Sequence, residues 1–388
     1  MDVFCPPDTG CTGSKMWILW TGLHIKDHIQ IAWMLTVNDP LGKARSNKLR
    51  NVAIADILDG VGNAKYGEKL HSCGTWLHFD SCPSGHEKYL RKANFCKKRL
   101  CPVCQWRRTV RLGQELLEVL HAHQKENPKD RHLMITLTTH NCVSEDLGKT
   151  ITDLHKGWDR LVKYKEVSKV LKGYFRSLEV TYNASKDTYN PHIHILCVVP
   201  PRYFSEDYIK RDRWLSLWRK AMNNPAITQV DIRTIKPKKG QTKPEQVLRG
   251  GVAEVAKYAI KTSDFLSKNL TEEKHAEVLL TYAFALHKRK LQTFAGCLLD
   301  WRKKLQLDLK NQDLDEMIDL LKSESCKCSI CNSELIYEIF RWQRDTYALH
   351  SMNDKSWIRQ ALNTAKTAQQ AKKLINCRSV SEGEKLTA

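Results

Sequence analysis

Tyr189-Asn190-Pro191-His192-Ile193-His194-Ile195-Leu196-Cys197-Val198-Val199-Pro200 reads as a buried strand that carries two imidazoles at alternate positions. Successive side chains of a strand point to opposite faces, so His192 and His194 share one face while Ile193 and Ile195 enter a core on the other. Two imidazoles side by side make a fork that can clamp a metal ion. A pair of this kind also occurs in ordinary cores, so its meaning depends on the surrounding chain. Upstream, Tyr174 to Tyr182 reads as a second strand with Glu179 between Leu178 and Val180. A carboxylate in an apolar strand is costly unless it is paired or bound to a cation. The turn-like Asn183-Ala184-Ser185-Lys186-Asp187 predicts an antiparallel hairpin, which puts Glu179 across from or diagonal to the histidines.

Working outward, His132 to Thr139 is β-branched and half apolar, a strand whose polar tail His140-Asn141 marks an end near a site. A helix is predicted before it, from Trp106 to about Lys125, and another after it, capped by Ser144 with Leu147, Ile151, Leu154, Trp158 and Leu161 at helical steps. Ser205 to Met222 reads as an aromatic-rich helix, Ile227 to Ile235 as a strand and Lys236 to Gly240 as a basic loop. In Gly250-Gly251-Val252-Ala253-Glu254-Val255-Ala256-Lys257-Tyr258-Ala259-Ile260-Lys261 the apolar residues occupy one helical arc. Glu254, Tyr258 and Lys261 stack beside it at i, i+4 and i+7, and the small residues let the helix lie close on a sheet.

The chain has 388 residues, enough for two or three domains, and a net charge of +20 from 63 basic and 43 acidic side chains. A charge of this sign spread through the chain suits nucleic acid better than a membrane. The apolar stretch Met16 to Val37 is interrupted by His24, Lys26, Asp27 and His28, so it is read neither as a span nor as a signal peptide. The 14 cysteines fall in short spacings, which favours reduced thiols, zinc and a cytoplasmic setting over disulfides. Cys101 and Cys104 form a knuckle, Cys96 precedes it and Cys73 supplies a fourth sulfur for tetrahedral Zn²⁺; Cys82 and His86 compete for that fourth place. Lys97, Lys98, Arg99, Arg107 and Arg108 would make the knuckle a cationic surface for phosphates. Cys328 and Cys331, with Cys326 nearby, are half of a second site whose completing ligands are undecided.

Taken in order, Cys73-Gly74, Ala93 to Arg108, Ile135-Thr136-Leu137-Thr138, Leu178-Glu179-Val180-Thr181, Pro191-His192-Ile193-His194 and Glu254 with Lys257-Tyr258 resemble the motifs of rolling-circle plasmid replication initiators (Rep proteins) of the HUH endonuclease superfamily. The resemblance covers about Cys73 to Lys261. Asn190 stands where many relatives carry a further His, which removes a spare ligand only. The fold implied is α+β, a central antiparallel sheet with flanking helices. A zinc-binding basic module (66–108) precedes the nuclease domain (109–268); a mostly helical region with a disordered tail (269–388) follows, and no role is assigned to 1–65.

The resemblance also implies the chemistry. Mg²⁺ or Mn²⁺ on His192, His194 and Glu179 polarises a phosphate of single-stranded DNA, and Tyr258 attacks it, forming a 5′-phosphotyrosine link and leaving a 3′-OH primer. Glu254 activates water for the closing step. Arg107, Arg108, Lys257 and Lys261 contact DNA, and the implied partners are the plasmid origin with its extruded nick site, a host helicase and a DNA polymerase. The competing readings are a non-catalytic zinc-dependent DNA-binding regulator and an HUH transposase or mobilisation relaxase.

Overall fold

The alternation of apolar and polar residues builds two antiparallel sheets, and the order in which the chain enters them positions every candidate residue. The structure, a computed structural model, describes residues 41–235, 244–256, 266, 270–305, 307, 327–328 and 330–353. The expectations for Lys257, Tyr258, Lys261 and Cys326, the basic loop from Lys236 and the tail from Arg378 lie outside these residues.

Helices α1 (Gly42–Gly60) and α2 (Ala64–Ser72) lead into a hairpin of β1 (Trp76–Ser81) and β2 (Lys88–Ala93). Helix α3 (Pro102–Glu126) follows; Cys101 is its N-cap, accepting from the Cys104 amide, and Pro102 supplies the fixed φ that suits a first turn. Strand β3 (Arg131–Thr138), helices α4 (Leu147–Leu161) and α5 (Lys165–Ser168), and the long hairpin β4 (Gly173–Asn183) and β5 (Thr188–Val199) come next. A 3₁₀ turn, helix α6 (Arg211–Met222), strand β6 (Val230–Thr234) and helix α7 (Pro244–Val255) continue the chain. Helix α8 (Glu272–Ala285) is capped by Thr271, which accepts from the Lys274 amide, with Glu272 and Glu273 in the first turn complementing the helix dipole. Strand β7 (Gln292–Gly296), helix α9 (Cys297–Lys304) and a second hairpin, β8 (Ile336–Gln343) with β9 (Thr346–Asn353), complete the described chain.

The larger sheet has the order β6-β3-β5-β4-β7 and the smaller β2-β1-β8-β9. On the larger sheet, Ile135, Leu137, Leu178, Val180, Ile193 and Ile195 join one core with Trp158 and Leu161 of α4, Trp214 and Trp218 of α6 and Leu279 and Tyr282 of α8. The alternate residues Met134, Phe175, Leu196 and Val198 join another, with Leu116, Val119 and Leu120 of α3 and Leu248, Val252 and Val255 of α7. Period-two alternation therefore gives the central strands two apolar faces, each covered by helices. Helix α7 lies close on its face: a Cβ added at Gly251 would come 2.6 Å from Ile235 Cδ1. Gly296 joins β7 to α9 at a φ of 56° where a side chain would run into the backbone of Lys172, so only glycine fits.

Several boundaries differ from expectation. Helix α4 begins after Asp146, without a side-chain cap from Ser144. The region after 268, expected to be mostly helical, contributes three strands among the described residues, and β7 extends the central sheet. The sheet begun within the expected 66–108 module likewise draws on distant chain, because β8 pairs with β1 from Ser81↔Ile336 to Trp76↔Arg341 and β9 extends the same sheet. Residues before 66 are also structural: Ala53, Ile54 and Leu58 of α1 are fully or almost fully buried. No helix among the described residues is long and apolar enough to cross a membrane.

Three histidines, His78 and His132 buried and His155 half-buried, are held towards the neutral imidazole. Burial pushes His78, His132 and His155 each down to about 4, with Lys92, His123 and Arg176 respectively adding repulsion. An unfolded imidazole titrates near 6.5, so between these values the unfolded chain binds more protons than the folded one. Stability is therefore complete above about pH 6.5 and is lost as the pH falls towards about 4. The urea midpoint should drop between about pH 7 and about pH 5, and His155→Gln should flatten that slope; a midpoint indifferent to pH would contradict the assignment.

Candidate active site

The hairpin register places Glu179 of β4 directly opposite His192 of β5, and Ser177 opposite His194. On the other side of β5, Thr138 faces His192 and Thr136 faces His194. Glu179 and His194 are 4% and 8% exposed, so the carboxylate is not the solvated edge group that an isolated Glu in a strand can be. One oxygen serves both imidazoles: Glu179 Oε2 lies 2.8 Å from His194 Nε2 and 3.2 Å from His192 Nε2.

The outer nitrogens explain the orientation. His192 Nδ1 lies 3.1 Å from the Asn190 carbonyl, which can only accept, so Nδ1 carries the hydrogen and neutral Nε2 presents a lone pair to Glu179. His194 Nδ1 is 3.0 Å from Thr136 Oγ1, a hydroxyl that can donate or accept and that fixes the orientation of the second ring. Two lone pairs aimed at a carboxylate oxygen repel unless a cation lies among them, either protons on the rings or a metal ion. The spacing fits a metal as well as a proton, since adjacent ligand atoms around an octahedral ion with bonds of about 2.1 Å are roughly 3.0 Å apart, within the range of an N–H···O bond. Glu179, His192 and His194 could therefore hold a metal ion.

Next to this triad, Thr138, His140, Asn141, Asn190, Thr228 and Gln229 line a polar cleft of about 120 Å³. Helix α7 covers the same sheet face as the triad, because Val252 and Val255 pack with Leu196 and Val198, which alternate in phase with His192 and His194 on β5. Glu254 projects from α7 to Arg233 of β6, with Arg233 Nη2 2.6 Å from Glu254 Oε1, and Asp231 holds the same guanidinium at 2.8 Å. Glu254 is thus anchored over the far edge of the sheet.

The four sulfurs named for zinc come together. Cys73 Sγ is 3.5 Å from Cys101 Sγ and from Cys104 Sγ, and Cys96 Sγ is 3.7 Å from Cys104 Sγ. Thiolates around tetrahedral zinc, with bonds of about 2.3 Å, lie about 3.8 Å apart, so the cluster could hold the ion. Amides of Cys96 and Cys104 point at the sulfurs of Cys73 and Cys101, as suits charged thiolates. Cys73 is therefore the fourth sulfur of this cluster, and Cys82 and His86 lie elsewhere.

Two participants escaped the reading of the sequence. Lys48 of α1 is completely buried, its ammonium 2.7 Å from the Cys73 carbonyl and 2.6 Å from that of His71. Burial pulls it down to about 8 while the cysteine sulfurs pull it back up, so the ammonium sits behind the sulfur cluster. Its only signal is a lysine set among Ala44, Leu49, Ala53 and Ile54. Thr136, quoted above only as part of a strand motif, is the other: its hold on His194 becomes legible only once β3 is known to pair with β5.

The basic residues around the knuckle divide. Arg107 is 4% exposed and lies over the Trp106 ring, so its expected contact with DNA is not supported by its placement. Arg108, half-buried, donates to the Lys97 carbonyl at 2.8 Å, and Arg99, exposed, donates to that of Arg289 at 2.7 Å.

The sequence also has relatives. A family model described as a replication protein matches residues 87–348. A protein named Protein rep from Streptococcus pneumoniae serotype 2 (strain D39 / NCTC 7466) is 34% identical over 276 residues, covering 70% of this chain and 82% of the relative. A Protein rep from Staphylococcus aureus is 37% identical over 228 residues, covering 58% and 94%. A third, from Bacillus sp, is 34% identical over 260 residues, covering 65% and 84%. No solved structure matches the chain. A match over well over half its length, on a chain whose central sheet presents a buried Glu-His-His cluster and which also carries a four-cysteine knuckle, makes this protein a member of the Rep family of rolling-circle plasmid replication initiators.

Proposed function

We propose that this initiator is a metal-dependent, single-tyrosine HUH nickase that cuts and rejoins the plasmid origin through a covalent link to Tyr258. The observation that carries the reading is the shared oxygen of Glu179 at 2.8 and 3.2 Å from the two imidazoles, on the sheet face that α7 covers. What a divalent ion supplies when bound to Glu179, His192 and His194 is polarisation of the scissile phosphate and stabilisation of the charge that develops on its oxygens; cellular Mg²⁺ would be the occupant, and Mn²⁺ suits the imidazoles.

The remaining steps belong to the chain. Tyr258 follows Val255, the last residue of α7, by three positions in the sequence. Its phenol oxygen forms a bond to phosphorus, the bond to the 3′ oxygen breaks, and that oxygen takes up a proton to become the 3′-OH primer. Unperturbed, a tyrosine titrates near 10, so the neighbouring Lys257 and Lys261 serve to favour its phenolate. Thr136 and the Asn190 carbonyl hold the imidazoles in register, and the polar cleft beside His192 seats the extruded strand. When replication returns to the origin, Glu254 takes a proton from water, whose oxygen bonds to the phosphorus of the regenerated site as the bond to its 3′ oxygen breaks; the freed 3′-OH then attacks the phosphorus held by Tyr258, the phenol oxygen leaves and takes up a proton, and the displaced strand closes without a lasting tyrosine adduct. Arg233 positions that carboxylate. The origin hairpin, a host helicase and a polymerase are the partners this chemistry requires.

The experiment uses an origin-derived single-stranded oligonucleotide with Mn²⁺. Tyr258→Phe should abolish both nicking and the adduct, detected as a mass increase on the peptide containing Tyr258; nicking that persists in this variant defeats the assignment. Glu179→Ala should lower metal-dependent nicking by at least roughly 10²-fold, because even outer-shell changes at metal sites cost 10 to 100-fold. Zinc content should stay unchanged. Glu254→Ala should nick normally but fail to release unit-length circles, and normal release would remove its role. A non-catalytic regulator would bind the oligonucleotide in every case and cut it in none.

A further inference from the structure

The residues left over from the cysteine knuckle form a second cluster. Cys82, His86, Cys328 and Cys331 each offer one ligand atom, and all four atoms lie within 4.8 Å of one another. Cys82 Sγ is 3.5 Å from Cys331 Sγ and 3.7 Å from His86 Nδ1, which is 3.9 Å from Cys328 Sγ. These spacings are those of ligands around one tetrahedral ion and far exceed a disulfide bond of about 2.05 Å. The donor set, three sulfurs and one imidazole, is the soft one that zinc prefers.

The backbone forms both halves of this cluster as tight turns. Strand β1 ends at Ser81, and Cys82 begins a turn in which the Gly85 amide returns to the Cys82 carbonyl at 2.9 Å and the Cys82 amide to that of Glu87 at 2.8 Å. Gly85 has a φ of 76°, which brings His86 back over Cys82. The other turn precedes β8: the Asn332 amide reaches the Cys328 carbonyl at 3.0 Å, Asn332 has a φ of 58°, and the Ile330 amide points at Cys328 Sγ from 3.4 Å. An amide aimed at a sulfur is the feature that also marks the knuckle at Cys101 and Cys104. Because Ser81 pairs with Ile336, the two turns meet at one end of the β1–β8 ladder. Leu335 and Tyr89 close the inner side of the cluster.

We propose that Cys82, His86, Cys328 and Cys331 bind a second structural Zn²⁺, which clasps the hairpin β8–β9 to the hairpin β1–β2. The clasp joins residues 249 positions apart, Cys82 and Cys331, and so ties the chain before the central sheet to the chain after it. It is independent of the nuclease reading.

The test counts zinc per chain by mass spectrometry of the metal in full-length His192→Ala/His194→Ala protein, so that the imidazole fork cannot contribute. Two zinc ions per chain are expected, and one after Cys328→Ser/Cys331→Ser is added. Cys331→His, which keeps a nitrogen ligand in place of sulfur, should retain the second ion. One ion per chain in the parent protein overturns the proposal whatever the variants do, as does a Cys82–Cys331 disulfide found on alkylation without reductant. Failure of nicking leaves the count untouched, and a failed count leaves nicking untouched.

Discussion

A carboxylate cannot stay ionised inside a sheet unless positive charge meets it, and Glu179 imposes that requirement on everything around it. The hairpin must bring β5 into the register that sets His192 opposite Glu179, since a slip of one residue would turn both imidazoles into the other core. Strand β3 must then lie on the far side of β5, so that Thr136 can orient His194. Helix α7 packs on this same face, through Val252 and Val255 against Leu196 and Val198. The apolar layers of α3, α4, α6 and α8 serve as the rigid backing against which this polar cluster is held.

Much of the central sheet was legible because its evidence is local. Alternation at 174–182 and 189–199 with a turn-forming link gave the β4–β5 hairpin, and with it the facing of Glu179 and the histidines. The knuckle was legible for a similar reason, as Cys96, Cys101 and Cys104 fall within nine residues. Cys73 could be placed only as a candidate, because the turn between α2 and β1 that delivers it depends on packing against α1 and α3.

What was not legible depends on partners distant in sequence. The segment 336–353 is short and alternates only weakly, with Ile336, Phe340 and Trp342 half-buried and Leu349 and Met352 exposed, so its strand character comes from pairing with β1 rather than from its own pattern. The same distance hid the partners of Cys328 and Cys331, and it left Cys82 and His86 as rivals of Cys73 when they occupy a different cluster. Composition misled in one place: Arg107 counts as a surface cation in sequence, yet its guanidinium is folded over Trp106. Lys48 is the converse, a charge on a helix with little visible polarity pattern that is buried where sulfur and carbonyl groups converge.

The smaller sheet sets an order of events during synthesis. Strand β1 leaves the ribosome about 260 residues before β8, its neighbour, so that His78 meets Tyr337 across a separation of 259 positions. Until that hairpin emerges, one side of β1 is an open edge with unpaired amides and carbonyls, the kind of surface that recruits other strands. The central sheet has meanwhile all of its strands available, so it can close first, and the β1–β2 edge is sealed last. Nascent chains are therefore most exposed to misassembly during translation of the stretch between α9 and β8, and a ribosome stalled there would carry a formed central sheet beside an unfinished module.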